Sequence, residues 1–388
     1  MVTNFVDNAT KAAASTISSA ITTVARLTDF GVAVPNAMID QHLPDEGGGL
    51  ITLAAQSKNA GAMRRIAANS RVEHRHMAID PYVEDITGWS TGTRMRRYAQ
   101  EALPLAKVAV AEAFERSAVL PHQVGLFCLV SSTGYAAPAI DTLVARDIGI
   151  PADVQRVCVG HMGCFAAMPG LGVCSDFVRS RHRPALLVNV ELSSLHQQPL
   201  PWDLEQIVVG SLFGDAATAV IVEPASGGRP GLDVVDFVAH TDTDYADYMT
   251  WKIGDRGFRM GLSAKVPEVI GIHLPRVLRK LLAPHHLDIS DIHWWAVHPG
   301  GRAIIDAVER TLGLPAEEVA VSRSVLRDAG NCSSAGVVQV LHALQSRTPL
   351  PSGQWGVAMA FGPGLTLSTA LVRGAGDVRT RAHQVPLG

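Results

Sequence analysis

The stretch Arg156-Val-Cys-Val-Gly-His-Met-Gly-Cys-Phe-Ala-Ala-Met168 decides how the rest of this chain is read. A β-branched run from Arg156 to Val159 gives way through small residues to a helical pattern, which predicts a strand turning sharply into a helix at Cys164. A sulfur at a helix N-terminus faces unpaired backbone N–H groups and the positive end of the macrodipole, and both favour thiolate over thiol. That is how a nucleophile is made at neutral pH. A free cysteine among apolar residues is more often a small buried hydrophobe, and Cys128, Cys158 and Cys174 are read that way.

Composition narrows the classes. With 388 residues, 47% hydrophobic and 18% charged, the chain can build a large core and two domain-sized units. Five cysteines without a Cys-x-x-Cys pair argue for a reduced cytoplasmic protein, not a disulfide scaffold or zinc module. A formal charge of −3 with no dense Lys/Arg tract gives no basis for nucleic-acid or anionic-membrane binding. The Ala/Ser/Thr-rich start, interrupted by Asp7, Asn8 and Lys11, reads as a helical extension over residues 1–25 and not as a signal peptide. No window reaches the roughly 18 apolar residues of a membrane span.

Strand-like runs alternate with helical patterns, which indicates an α/β protein with mixed or parallel sheets. Predicted strands are Val124–Val130, Ala185–Val190, Ala219–Val222, Ile292–Val297, Trp355–Ala360 and Leu365–Val372. Predicted helices are Arg97–Ser117, Cys164–Ser180, Pro267–Leu282, Arg302–Leu312 and Ser334–Gln345. The turn-rich segment Pro224 to Gly231 separates residues 26–225 from residues 230–376, with a tail over 377–388. The two halves read as divergent copies: Val124 to Gly134 resembles Ile292 to Gly301, Gly163-Cys164 has a counterpart in Gly330-Asn331, and Phe213-Gly214 in Phe361-Gly362. Duplication places Cys164, His298 and Asn331 at comparable strand ends, where they can converge on one pocket.

His298 lies in Trp295-Ala-Val-His-Pro-Gly-Gly301, directly after an apolar strand that Pro299 and two glycines force to turn. The other fourteen histidines are read as structural or surface groups; His161, three residues from Cys164, lacks the further ligands a zinc site needs, and no metal is expected. Asn331 alone would be a turn residue. Together the three side chains mean more. A thiolate paired with an imidazolium attacks thioesters, and a histidine N–H with an asparagine NH2 can hold the oxygen of a developing enolate. Such donors let a malonyl thioester lose carbon dioxide without a metal or a strong base.

Taken in order, Gly163-Cys-Phe-Ala166, Gly210-Ser-Leu-Phe-Gly-Asp215, His298-Pro-Gly-Gly301, Gly330-Asn-Cys-Ser-Ser334 and Ala360-Phe-Gly-Pro-Gly-Leu-Thr366 resemble the chalcone synthase-type, or type III, polyketide synthases, from about Arg26 to Arg373. The resemblance implies a homodimeric thiolase fold of five αβαβα layers that uses acyl-CoA directly, with no other cofactor. A starter acyl group would load on Cys164, malonyl-CoA would decarboxylate at His298 and Asn331, and repeated Claisen condensation would build a polyketide that cyclises. By the same resemblance Phe213 is the gatekeeper between CoA tunnel and cavity, and Arg65 grips CoA phosphates. Thr133 and Ala137 line the cavity, and Gly362-Pro363-Gly364 scaffolds it by close backbone approach.

The chain departs from the plant pattern. Ala167-Met168 stands for Gly-Gly after the nucleophile, Met260 for a second gating phenylalanine, Trp251 for a small cavity residue and His196 for a small hydroxyl residue. These changes reshape the cavity, disfavour an aromatic starter and point to bacterial members that extend aliphatic acyl-CoA starters to α-pyrones or resorcinols. A bulky Trp251 favours a triketide pyrone. Initiation-type β-ketoacyl carrier protein synthases share the Cys, His, Asn set but tend to have an asparagine soon after the histidine, where this chain has Pro-Gly-Gly. Thiolases need a second reactive cysteine near the C-terminus, and papain-like hydrolases need a Cys-Gly-Ser-Cys-Trp signature; neither is present. A non-catalytic acyl-binding protein would not need all three polar partners.

Overall fold

The computed structural model describes residues 23–41, 59–225 and 229–376. The expected N-terminal helix up to residue 22 and the tail over 377–388 lie outside these residues, and Ala25 is already in a strand. In chain order the first half contains β1 (Ala25–Ala33), β2 (Ala37–Asp40), α1 (Ala60–Ser70), β3 (His74–Met77), α2 (Thr91–Glu115), β4 (Leu126–Ser131), α3 (Ile140–Ile148), β5 (Gln155–Gly160), α4 (Ala167–Arg181), β6 (Ala185–Leu192), α5 (Leu204–Leu212) and β7 (Asp215–Pro224). The second contains β8 (Gly231–Thr241), β9 (Met249–Gly254), β10 (Gly257–Leu262), α6 (Val266–Leu282), β11 (Ile292–Val297), α7 (Arg302–Leu312), α8 (Ala320–Ala329), α9 (Ala335–Arg347), β12 (Trp355–Gly362) and β13 (Thr366–Ala375).

Nine strands join in the order β11-β12-β13-β8-β1-β7-β6-β4-β5. The internal repeat is visible in the pairing. In the first half β4 runs parallel to β6, β6 antiparallel to β7, and β7 antiparallel to β1. In the second, β11, β12, β13 and β8 repeat that sequence of directions. The second half has no counterpart of β5, and α8 occupies its place along the chain. A short pairing of Ala25–Leu27 with Leu232–Val234 joins the two sets of strands.

Side-chain alternation along the strands builds the layers. On β4, Leu126, Cys128 and Val130 face a core shared with Leu171 of α4 and Val337 and Leu341 of α9. Phe127 and Leu129, pointing the other way, pack with residues of α2 and α3. On β12, Ala358 and Ala360 join the shared core, whereas Val357, Met359 and Phe361 face α6 and α7. The result is helix, sheet, helix, sheet, helix: the five layers expected of a thiolase fold. Strands covered on both faces explain why β4, β6 and β12 read as nearly continuous apolar runs.

Three sequence expectations shift. The helix expected from Cys164 begins at Ala167, after a single 3-10 turn over Gly163–Phe165. The helix expected from Arg97 begins at Thr91, because Ser90 caps it by accepting a hydrogen bond from the Thr93 N–H. Cys158, read as a buried hydrophobe, is exposed, since β5 is the edge strand of the sheet and no described layer covers its outer face.

Leu171 is buried in the middle layer, where α4 packs with residues of both sheets. Leu171→Ala is expected to cost about 3 kcal/mol, measured by denaturant unfolding. A loss well below 1 kcal/mol would show that the middle layer is not a packed core.

Candidate active site

Each candidate residue reaches the site through a local backbone constraint. Cys164 follows Gly163, whose φ of +74° lies in the left-handed region. A Cβ at Gly163 would stand 2.7 Å from Cδ of Pro363, so the nucleophile's turn and the Gly362–Gly364 loop touch. The Gly163 N–H donates to Ser132 Oγ at 2.8 Å, which ties the turn to the end of β4. His298 directly follows β11, its N–H donating to the Met359 carbonyl at 2.8 Å. Asn331 follows Gly330 (φ +71°), where a Cβ would lie 2.5 Å from the Leu212 carbonyl oxygen.

Asn331 is held by both halves. Its N–H donates to the Leu212 carbonyl at 2.8 Å, and its own carbonyl accepts from the Gly214 N–H at 3.1 Å, so Phe213 and Asn331 form a parallel bridge. The side-chain oxygen accepts from the Ser333 N–H at 2.9 Å, which turns the NH2 toward the Gly300 carbonyl at 3.3 Å. Buried Arg75 donates to the carbonyls of Gly210 and Phe213 at 2.6 and 3.1 Å and fixes the turn that carries the Phe213 ring.

Cys164, His298, Asn331 and Phe213 line one cavity of about 620 Å³. Its outer wall is largely apolar, with Ile66, Leu204, Val208, Leu262 and Val266. On the other side of the sulfur, a recess of only about 30 Å³ is lined by Ser132, Thr133, Trp251, Met260 and Pro363. Cys164 and Phe213 border both spaces, at the passage between them.

Burial dominates the electrostatics. It pushes the Cys164 thiol up to about 12, with hydrogen bonds from the Ser333 and Asn331 side chains pulling the other way and the Glu191 carboxylate adding to the rise. Desolvation lowers the His298 imidazole to about 3, and neither ring nitrogen has a hydrogen-bond partner in the protein. Taken singly, both groups are neutral at pH 7. The sequence implied a thiolate favoured by the helix terminus; in the folded site burial disfavours the thiolate.

Residues 12–226 match the model of the N-terminal domain of chalcone and stilbene synthases, and residues 234–376 match that of their C-terminal domain. The chain belongs to this family. It is a type III polyketide synthase, a class that performs decarboxylative Claisen condensation. It is 35% identical over 316 residues to 1,3,6,8-tetrahydroxynaphthalene synthase of Streptomyces peucetius, covering 80% of this chain and 83% of that protein. It is 32% identical over 362 residues to the alpha-pyrone synthesis polyketide synthase-like Pks18 of Mycobacterium tuberculosis, covering 90% and 91%. The crystal structure of PKS-I from the brown alga Ectocarpus siliculosus superposes with a TM-score of 0.84 at 26% identity, over 92% of this chain and 100% of that one.

The synthase brings most of its sequence-predicted site residues together; Ala137, His196 and Arg65 line neither the cavity nor the recess, and of Gly362, Pro363 and Gly364 only Pro363 does. Ala137 is exposed and lines neither the cavity nor the recess, because the chain after β4 turns outward past Gly134, whose missing side chain leaves room for the Tyr98 ring. His196 borders a separate small cavity of about 30 Å³, which shares Phe213, Trp251 and Met260 with the recess. Its ring stacks on Phe258 at 4.3 Å and meets the edge of Trp251 at 5.3 Å. Its Nε2 donates to the Thr133 carbonyl at 2.7 Å and its Nδ1 accepts from the Phe258 N–H at 3.0 Å, so it is a satisfied, neutral support. Trp251, whose Nε1–H donates to the Ser132 carbonyl at 2.8 Å, and Met260, its cross-strand partner, do line the recess. Arg65 is exposed on α1, the helix whose Ile66 and Asn69 line the mouth.

Glu191 escaped the sequence reading. It is fully buried and accepts from the Ser132 N–H (3.1 Å), Thr133 Oγ1 (2.8 Å), Ser333 Oγ (3.3 Å) and Ser334 Oγ (2.5 Å), joining the nucleophile's side of the site to the Asn331 loop. One acid at the end of the apolar run Ala185-Leu-Leu-Val-Asn-Val-Glu-Leu192 was the available signal.

Burial raises the Glu191 carboxyl from 4.5 to about 7. The folded state therefore holds a proton that the unfolded chain releases, and stability falls as pH rises from about 4.5 through about 7. Asp215, raised to about 6, adds to the same trend. Glu191→Gln keeps the shape without the charge, and its unfolding free energy is expected to fall less across this window than that of the unaltered chain. Equal slopes in denaturant unfolding at pH 5 and 7.5 would contradict the assignment.

Proposed function

We propose that this synthase loads an aliphatic acyl group from CoA onto Cys164, extends it with malonyl-CoA, and releases a short polyketide closed as an α-pyrone. The observation that carries this reading is the meeting of Cys164, His298 and Asn331 in one desolvated cavity with an apolar outer wall and a nearly filled inner recess.

Because each group is neutral alone, charge is created as a pair. The Cys164 proton passes to a His298 ring nitrogen as the sulfur attacks the acyl thioester, and the departing CoA thiolate takes that proton back. Malonyl-CoA then binds with its thioester oxygen between the His298 N–H and the Asn331 NH2. Carbon dioxide leaves, those donors hold the enolate oxygen, and the enolate carbon attacks the acyl carbonyl on Cys164. The new carbon–carbon bond forms as the carbon–sulfur bond breaks, leaving Cys164 as a thiolate; the extended CoA thioester reloads it for a second round, and attack of an enol oxygen on the thioester carbonyl then closes the pyrone and expels CoA. Low dielectric strengthens every donor in this sequence.

Product length follows from space. A recess of about 30 Å³ holds little more than one or two waters, so the growing chain shares the outer cavity with the pantetheine arm and elongation stops early. That supports a single-ring triketide over the fused two-ring product named for the Streptomyces relative. The CoA phosphates would meet Arg65, a reading supported by its exposure on the helix whose Ile66 and Asn69 line the mouth. A homodimer belongs to the same reading and is supported by β5, an exposed edge strand of a kind that proteins usually cover. Five unpaired cysteines support a reducing, cytoplasmic setting, and no helix among the described residues is long and apolar enough to cross a membrane.

Incubation with hexanoyl-CoA and malonyl-CoA should release carbon dioxide and give an α-pyrone by mass spectrometry. Cys164→Ala should abolish acyl loading. Asn331→Ala should slow decarboxylation by about a hundredfold or more while leaving acyl loading measurable; normal carbon dioxide release would remove Asn331 from the mechanism. Trp251→Gly should lengthen or redirect the products, and an unchanged profile would show that the recess does not set chain length.

A further inference from the structure

Outside the catalytic cavity, the end of β8 and the helix packed against it carry a cluster of ligating side chains that the condensation chemistry does not use. His240 and Asp242 are one residue apart on extended chain, with φ −108° and ψ 107° at Asp242, so their side chains share a face. His273 comes from α6. One ligand atom from each residue lies within 4.8 Å of the other two. Nε2 of His273 pairs with Oδ2 of Asp242 at 2.8 Å, and Nε2 of His240 is buried beside them with no hydrogen-bond partner. One unsatisfied imidazole nitrogen next to a histidine–carboxylate pair leaves a polar group that a bound ion would satisfy.

We propose that His240, Asp242 and His273 form a binding site for a divalent ion of the zinc class. Two imidazoles and one carboxylate are a borderline ligand set that suits zinc over calcium or magnesium. A tetrahedral zinc with bonds of about 2.0–2.1 Å spaces its ligand atoms by about 3.3 Å, a value bracketed by the 2.8 Å contact and the 4.8 Å outer bound. The side chains of His273 and Asp242 keep 15% and 19% of their exposure, which leaves room for a water as fourth ligand.

The position assigns the ion a structural role. Asp242 pairs through its backbone with Leu365 in both directions at 2.9 Å, next to the Gly362–Gly364 loop. From Asp242 the chain runs through a 3-10 turn to Met249 and Trp251 on the cavity wall. A bound ion would fasten the root of this ribbon to α6. No such hint is legible in the chain's linear order, because the third ligand is distant along it and His-x-Asp is a common pairing.

The test uses the full-length chain stripped with EDTA, gel-filtered and titrated with zinc chloride. We expect one zinc per chain by isothermal titration calorimetry, a rise of several degrees in melting temperature, and the visible absorption of four-coordinate cobalt when cobalt replaces zinc. His273→Gln and Asp242→Asn should each weaken binding by more than about tenfold, whereas Cys158→Ser, removing the exposed thiol, should leave it unchanged. If His273→Gln fails to fold, His240→Gln at the strand end provides the same comparison. An unaltered chain that retains no zinc, or variants that bind zinc as it does, would overturn the proposal.

Discussion

Two backbone hydrogen bonds hold this active site together: Asn331 N–H to the Leu212 carbonyl and Gly214 N–H to the Asn331 carbonyl. They fasten a loop of the second half to a turn of the first, and they set Asn331 beside Phe213. Gly330 permits the contact because it has no Cβ to meet the Leu212 oxygen. Arg75, buried and donating to carbonyls on the same turn, braces it from behind. The remaining geometry is built against this joint: Cys164 reaches it from the middle helical layer and His298 from the end of β11.

The second constraint is burial. Burial pushes the Cys164 thiol to about 12, the Glu191 carboxyl to about 7 and the His298 imidazole to about 3, so desolvation disfavours charge at each. A site of this kind creates charge only where a donor or counter-charge already waits. The cost is carried by the five-layer core, whose middle helices α4 and α9 present Ala, Val and Leu side chains to both sheets.

Much of this was legible beforehand. The apolar runs at Ala185–Val190, Ile292–Val297 and Trp355–Ala360 fall within observed strands, since strands covered on both faces are built mostly of apolar residues. Gly-Cys, Pro-Gly-Gly and Gly-Asn marked the turns because only small or rigid residues tolerate those backbone angles. β1, β2, β3, β8, β9 and β10 were missed, their patterns being mixed with polar side chains. Ala137 and His196 were placed on a linear alignment alone, and which way a loop leaves its strand is not written in its local composition.

The chain by itself determined the chemistry: a cysteine at a strand-to-helix turn, a histidine and an asparagine at equivalent turns of a repeated half, and the fold that such a repeat requires. Those are local facts, set by backbone sterics and side-chain type. Tertiary structure alone decided that Trp251 and Met260 close the recess, that Glu191 ties two loops together, that His196 supports the wall instead of forming it, and that His240, Asp242 and His273 meet. Each depends on packing between segments far apart in the chain, where distance in space is fixed by the whole core and not by any neighbouring residue.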